Sequence, residues 1–375
     1  MEVNVTPVRS KKEKRLFIHL PYALYRNNPN WVAPLLVEQK SIFNTSRHPF
    51  YEHAEIELFL AEIAGKIVGR IAAIEDRSYF EYHGEQIGYF GFFECDLSAP
   101  PETTRAITNA LINAARDWLR ARNINTMIGP MNPSTNYECG MLVEGFDRPP
   151  VIMMPYNPPE YPALMDQAGL QKGHDLISYA YDAPGLPEKA KRVADICTKR
   201  GYTIRPVNMK KIEDEVEGIY SLYNSAWEDN WGFAPMSRNE FHQMGRQLKQ
   251  IAIADIILVA EYKGEVVGFL LALPDINQIL RKMNGRLFPF GFLKLIFGMK
   301  HIDAVRVLVM GVLKGHRRKG VDALLTQRSR ENAATHNINK ADFGWILEKN
   351  EVVNNLMLAF GSHPYKKHRI YRDTF

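Results

Sequence analysis

Between residues 303 and 330 the chain reads DAVRVLVMGVLKGHRRKGVDALLTQRSR. Lys314, Arg317, Arg318 and Lys319 put four cationic side chains into six residues, with glycine at 315 and 320. The apolar, β-branched run Val305 to Val312 ahead of this turn reads as a buried strand. After the turn, Val321, Leu324, Leu325 and Arg328 take up helical spacing. Strand, basic turn, helix aims the unpaired backbone N–H groups of a helix start at an anion, and the cations add charge at the same place. A phosphorylated ligand suits this chemistry. A solvated basic loop before an ordinary helix is the plainer reading.

Composition sets the frame for that turn. A chain of 375 residues is too long for one ordinary core, so two domains are expected. Hydrophobic content of 46% and charged content of 24% are those of a globular protein, and a net charge of +5 suits anionic ligands. The basic residues cluster at one turn and form no extended stripe, so no nucleic-acid partner is expected. Cys95, Cys139 and Cys197 are odd in number, widely spaced and free of any CxxC. That fits free thiols in a reducing compartment and argues against a disulfide frame or a zinc site, and no metal is expected. The charged N-terminus lacks an apolar signal region and no run of about 18 apolar residues occurs, so the expectation is a cytoplasmic protein.

The elements that position the basic turn appear twice. AEIELFLAEIAGKIVGRIAAI (54–74) and ADIILVAEYKGEVVGFLLAL (254–273) both read as β-hairpins around a Gly-containing turn. LAEIAGKIVGRIAAI (60–74) lies over VAEYKGEVVGFLLAL (259–273), and AGLQKGHDLISY (168–179) over FGSHPYKKHRIY (360–371). A strand at Ile87 to Cys95 and a helix with the stripe Ile107, Leu111, Ile112, Ala115, Trp118 and Leu119 follow the first hairpin. The Val305 strand, a helix from Val321 to Thr335, a strand to Leu347 and a helix to Phe360 follow the second. One duplicated α/β unit explains both matches.

Helix, hairpin with EYKGEVVGF, strand, basic turn, helix, strand, Glu348-Lys349-Asn350, helix and closing strand resembles the GCN5-related N-acetyltransferase (GNAT) superfamily, in its bacterial tandem form. VLVMGVLKGHRRKGVDALL is similar to that family's acyl-CoA pyrophosphate signature. The resemblance implies an α/β (α+β) fold of two tandem GNAT-like domains, each a mixed central sheet flanked by helices. Residues 1–185 would be an N-terminal copy with a degenerate phosphate loop and 186–206 a junction. Residues 207–375 would be a C-terminal copy carrying the signature and an apolar insert at 274–301. It further implies an N-acyltransferase moving an acyl group directly from a CoA thioester, acetyl-CoA or a longer acyl-CoA, to an amine. A non-catalytic acyl-CoA sensor or scaffold is the alternative.

Implied roles then fall on numbered residues. Arg317, Arg318, Lys319, Gly320, Val321, Asp322 and Ala323 would seat the pyrophosphate. Gly311 and Val312 would offer strand hydrogen bonds to the pantetheine arm where two parallel strands splay, and Asn350 would touch that arm. Glu348 is the candidate base and Tyr365 a candidate acid. Two departures stand out: Asp322 replaces the usual Gly or Ala, and no Tyr lies between Asn350 and Gly361.

Two stretches lie outside the repeat. GPMNPSTNYECGMLVEGFDRPPVIMMPYNPPEY (129–161) is long and irregular. Its Asn132, Asn136, Glu138 and Asn157 would line a pocket for a small-molecule or lipid-like amine acceptor, or the segment packs between the two halves. The insert ends in LFPFGFLKLIFGM (287–299) among Lys and Arg residues. It reads as packing or a dimer contact, as an acyl-chain pocket, or as a peripheral membrane contact through 286–299.

Overall fold

The computed structural model describes residues 2–183, 185–228 and 230–375. Two compact units are present. The first comprises Met1–Leu176, Met283–Leu287 and Lys367–Phe375, the second Ile177–Lys282 and Phe288–Lys366. Relative to a linear division of the chain, the last nine residues thus join the first unit and Ile177–Tyr181 the second.

The first unit contains β1 (Asn4–Pro7), α1 (Lys11–Leu24), α2 (Leu36–Ile42), β2 (Ala54–Ile63), β3 (Lys66–Asp76), α3 (Arg77–His83), β4 (Gly88–Cys95) and α4 (Pro101–Arg120). β5 (Thr126–Gly129), β6 (Met131–Asn132), β7 (Glu138–Cys139), β8 (Met141–Glu144), α5 (Tyr161–Gln167) and the start of β9 (Gln171–Tyr181) follow. α1 begins at a capping box, in which the Ser10 hydroxyl accepts from Glu13 N and the Glu13 carboxylate from Ser10 N. The strands lie in the order β1-β2-β3-β4-β5, with β4 and β5 parallel. The closing strand comes from the C-terminus, where Tyr371 to Thr374 pair antiparallel with Gly129 to Thr126. Ile107, Leu111, Ile112, Ala115 and Leu119 of α4 are fully buried against Phe90 and Ile71, the isoleucines and leucines each contributing about 1.5–3 kcal/mol of burial.

The second unit contains α6 (Glu188–Lys199), β10 (Tyr202–Pro206), α7 (Ile212–Trp227), α8 (Arg238–Lys249), β11 (Ile257–Tyr262), β12 (Glu265–Pro274), α9 (Asn277–Leu280) and α10 (Gly291–Gly298). β13 (Ala304–Val312), α11 (Val321–Thr335), β14 (Lys340–Leu347), α12 (Glu351–Ala359) and the first four residues of β15 (His363–Thr374) complete it. Its order is β9-β14-β13-β12-β11-β10, with β13 and β14 parallel. α6 and α11 cover one face, where Cys197, Val321 and Leu325 pack on Leu258, Leu270 and Val305.

The duplication is written into backbone geometry. Ala64-Gly65 and Lys263-Gly264 both take positive φ at both turn positions, the backbone of a two-residue type I′ hairpin. Both hairpins carry a bulge three residues before the turn, at Ala61/Glu62 and Ala260/Glu261. In each unit the strand after the hairpin shifts register against it, between Arg70 and Ala72 and between Leu271 and Ala272. In each, that strand then leaves its parallel neighbour. The register ends at Tyr89↔Ile128 in the first unit and at Val307↔Phe343 in the second.

Candidate functional site

Beyond Val307 and Phe343, β13 runs on to Val312 and β14 to Leu347, so two diverging strand ends frame a slot. Diverging strands release backbone groups that a ladder would have paired. One is satisfied at the floor of the slot, where the Gly344 carbonyl accepts from Arg306 Nε (3.1 Å) and Nη2 (2.9 Å). On β13, Leu313 N donates to Val267 O. By alternation Gly311 also turns its peptide to β12, while Met310 and Val312 turn theirs to the β14 side. Of the two residues expected to serve a pantetheine arm, Val312 therefore faces the slot and Gly311 belongs to the ladder. Val312 O accepts from Arg317 Nε at 3.1 Å.

The floor is a buried polar cluster. The Tyr365 hydroxyl donates to Asp342 Oδ2 at 2.7 Å, and Asp342 Oδ1 lies 3.9 Å from Arg306 Nε. Asp342 is 4% exposed and Arg306 5%, too dry a setting for an ordinary carboxyl. Burial pushes the Asp342 carboxyl above the usual range despite the opposing effects of Arg306, Tyr365 and Lys366. Burial and the Asp342 charge likewise push the Tyr365 phenol up. Asp342 Oδ1 and Ser178 Oγ accept no hydrogen bond among the described residues. A Cβ added at Gly344 would stand 2.7 Å and 2.5 Å from them, so both oxygens converge beside that glycine. Such a cluster can hold a proton or a small polar group.

At the far end of β13 the basic turn forms a short 3-10 turn, Lys314–His316, before α11. Arg318 (φ 61°) and Gly320 (φ 90°) take the left-handed backbone. A Cβ at Gly320 would meet Val193 and Cys197 of α6 at 2.8 and 3.4 Å, so glycine is required here by φ and by helix packing together. The first α11 hydrogen bond is Leu324 N to Gly320 O at 3.0 Å, and no side chain caps the helix. Val321, Asp322 and Ala323 N–H are thus the orphan donors of the first turn. Lys314 is paired with Glu228 at 2.6 Å and Arg317 is turned back on Val312. Arg318 and Lys319 are exposed and form no ion pair among the described residues. The charge available to an anion is therefore narrower than four cations in sequence suggest. Asp322 sits half-buried in the first turn. After burial, its charge is the next cause raising the Cys197 thiol, to about 11, which directs the carboxylate's influence toward α6.

Asn350 caps α12, its Oδ1 accepting from Val353 N at 3.2 Å. Glu348 is half-exposed at the strand exit, and its carbonyl accepts from Asn354 Nδ2. Of the four residues in 129–161, two are spent on backbone. Asn132 Oδ1 accepts from Phe92 N at 2.7 Å, and Asn157 clips Leu142 through N–H and C=O at 2.6 and 3.1 Å. Buried amides must be satisfied, and here the chain itself does so. Glu138 lies opposite Asn132 in the β6–β7 pair, and Asn136 N donates to Ser134 Oγ. Facing Glu138, the Glu38 carboxyl, reached by solvent but ringed by protein, is pushed up to about 7, first by desolvation and then by the Glu138 charge.

Sequence reasoning missed Arg306, Asp342, Ser178, Tyr179 and Asn354. Tyr179 Oη donates to Asn354 Oδ1 at 2.9 Å, and Asn354 Nδ2 donates to Leu347 O and Glu348 O. A tyrosine from β9 thus stands at the final helix, which has none of its own. The available signal was charge within apolar strand runs, Arg306 in AVRVLVM and Asp342 in KADFGW. Among the described residues no group of three His, Cys, Asp or Glu is arranged to hold a metal, and no helix is long and apolar enough to cross a membrane.

No protein-family model matches the chain. Bacterial ceramide synthase of Caulobacter vibrioides is 34% identical over 381 residues, covering 100% of this chain and 98% of that protein. Protein YghO of Escherichia coli K12 is 35% identical over 370 residues, covering 96% and 93%. Among solved structures, a tandem GNAT protein from the clavulanic acid biosynthesis pathway superposes over 100% of this chain and 98% of its own. Its TM-score is 0.57 at 12% identity, a likeness of fold. The chain belongs to the family of the bacterial ceramide synthase and YghO, a family built on the tandem GNAT fold.

Proposed function

We propose that this protein is an acyl-CoA-dependent N-acyltransferase whose acceptor is a lipid-like amine and whose chemistry belongs to the second unit. The observation that carries this reading is the β13–β14 slot, with an uncapped helix start beside unpaired Arg318 and Lys319 at one end and a buried carboxyl at the other. The pyrophosphate of acyl-CoA takes the helix start, and the pantetheine arm takes the strand edge at Met310 and Val312. The amine nitrogen attacks the thioester carbonyl, a C–N bond forms, the C–S bond breaks, the nitrogen loses a proton and the thiolate gains one. Sequence points to Glu348 and Tyr365 for these protons. We assign the amine proton to Asp342, whose Oδ2 is held by Tyr365 and whose Oδ1 takes no hydrogen bond among the described residues. A ceramide is the amide of a long-chain amino alcohol, and the name of the Caulobacter relative supports an acceptor of that class.

The test is incubation with acetyl-CoA or palmitoyl-CoA and a long-chain amino alcohol, following free thiol and the amide by mass spectrometry. Amide formation matched by thiol release is expected. Absence of both across donors and amines overturns the reading. Binding of acyl-CoA without amide would support instead the acyl-CoA sensor, which Asp322 in the first turn of α11 and the lack of Tyr in α12 favour.

A further inference from the structure

The insert of the second unit displays its apolar side to solvent. Phe288 is 78% exposed, Phe290 68%, Ile296 62% and Phe297 63%, with Phe292 and Leu293 also exposed. A folded chain normally turns such residues inward, and clustered exposure of this kind marks an interaction surface. The orientation is held by packing. Gly291 of α10 is buried, and a Cβ added at Gly298 would meet the Ile279 side chain of α9 at 2.9 Å. The helix therefore sits down on α9 through its glycine edge, and its bulky residues can only point away. Lys294 Nζ donates to Lys282 O at 3.0 Å, tying the helix to the segment that follows α9.

Charge selects the occupant. Between Asp275 and Asp303 the sequence has no acidic residue, and the second unit's part of this stretch carries four exposed basic ones, Arg281, Lys282, Lys294 and Lys300. We propose that this surface, the apolar, Phe-rich side of α10 and of the turn before it with basic residues around it, docks the protein on an anionic lipid bilayer. Phenylalanines enter the headgroup–acyl boundary while lysine and arginine heads meet anionic headgroups. A second copy of the chain fits less well, because a two-fold contact would set the cationic rim against itself. α10, of eight residues, lies in the interface and does not span it. The proposal does not rest on the acyltransferase reading, since vesicle binding is measured without turnover.

The experiment is flotation of the full-length protein with vesicles of phosphatidylcholine, alone or mixed with phosphatidylglycerol, at low and high salt. Expected is at least about tenfold stronger binding to the anionic vesicles, weakened by salt. Phe290→Ser with Phe297→Ser should abolish it, and Arg281→Glu with Lys300→Glu should remove the preference for anionic lipid. Unchanged thermal unfolding of both variants keeps the result interpretable, these side chains being exposed. Wild-type protein that stays unbound, or variants that bind as it does, overturns the proposal. So does a concentration-dependent dimer lost in the Phe variant without any vesicle binding, which would make a second copy the occupant.

Discussion

The two units share hairpin, bulge and splay, yet treat the splay in opposite ways. In the first unit every residue of β4 is buried. Met131 O is packed so close to Gly91 that a Cβ there would overlap it, and Asn132 Oδ1 takes the Phe92 N–H. The chain fills its own slot. In the second unit Val307 to Met310 and Val312 are half-buried, and Arg306 satisfies only the floor. The starts of the following helices differ in step. α4 begins at Pro100-Pro101 with Glu102 in its first turn, where α11 begins after Arg318-Lys319-Gly320. The two units thus differ in two features, a plug for the released backbone groups and the cations ahead of the helix. The charged clusters differ as well. In the first unit Glu94 Oε2 accepts from Tyr25 at 2.7 Å and from Tyr161 at 3.0 Å while Oε1 faces Arg70 at 3.6 Å; Asp342 has one tyrosine on Oδ2, at 2.7 Å, and its Oδ1 lies 3.9 Å from Arg306.

Asp342→Asn and Glu94→Gln test this contrast most strongly. The first should lower kcat by about 10²–10⁴-fold with acyl-CoA affinity unchanged. Its raised pKa places the rising limb of the wild-type kcat–pH profile above the usual carboxylate range, and that limb should vanish in the variant. The second leaves Arg70 buried without its counter-charge and should cost about 3–5 kcal/mol in stability. Equal turnover in Asp342→Asn would break the comparison. Next in size, Arg318→Glu with Lys319→Glu should weaken acyl-CoA binding at least about tenfold, about 1.4 kcal/mol, by calorimetry, while Glu102→Gln in the first unit changes nothing. Loss of affinity in Glu102→Gln would move the anion seat to the wrong copy.

Asn132→Ala removes the plug's acceptor and should cost about 1–3 kcal/mol, read by denaturant unfolding, without altering acyl-CoA affinity. The smallest effect is one of pH. Asp342 holds its proton more tightly folded than unfolded, so its stabilising contribution is full below about pH 4 and declines as pH rises through the raised value. The unfolding midpoint of the wild type should therefore fall relative to Asp342→Asn as pH rises above about 4. Parallel curves would show that Asp342 is not perturbed.

Much of the fold was legible because it is local. Helix stripes such as Ile107 to Leu119, the turns Ala64-Gly65 and Lys263-Gly264, and the strand–basic turn–helix at 305–335 are set by residues near one another in the chain. The match of 60–74 to 259–273 exposed the duplication, and the basic turn singled out the start of α11. Three things were decided only by the folded chain. Asn132 and Asn157 proved to be backbone clips, Gly320 answers to α6 as well as to its own φ, and the last nine residues join the first unit. The Arg306–Asp342–Tyr365–Ser178 cluster is of the same kind, assembled from β13, β14, β15 and β9. Periodicity reports which face of an element is apolar. Which backbone groups a splay releases, and which distant side chain then satisfies them, depends on strand register between elements far apart in sequence.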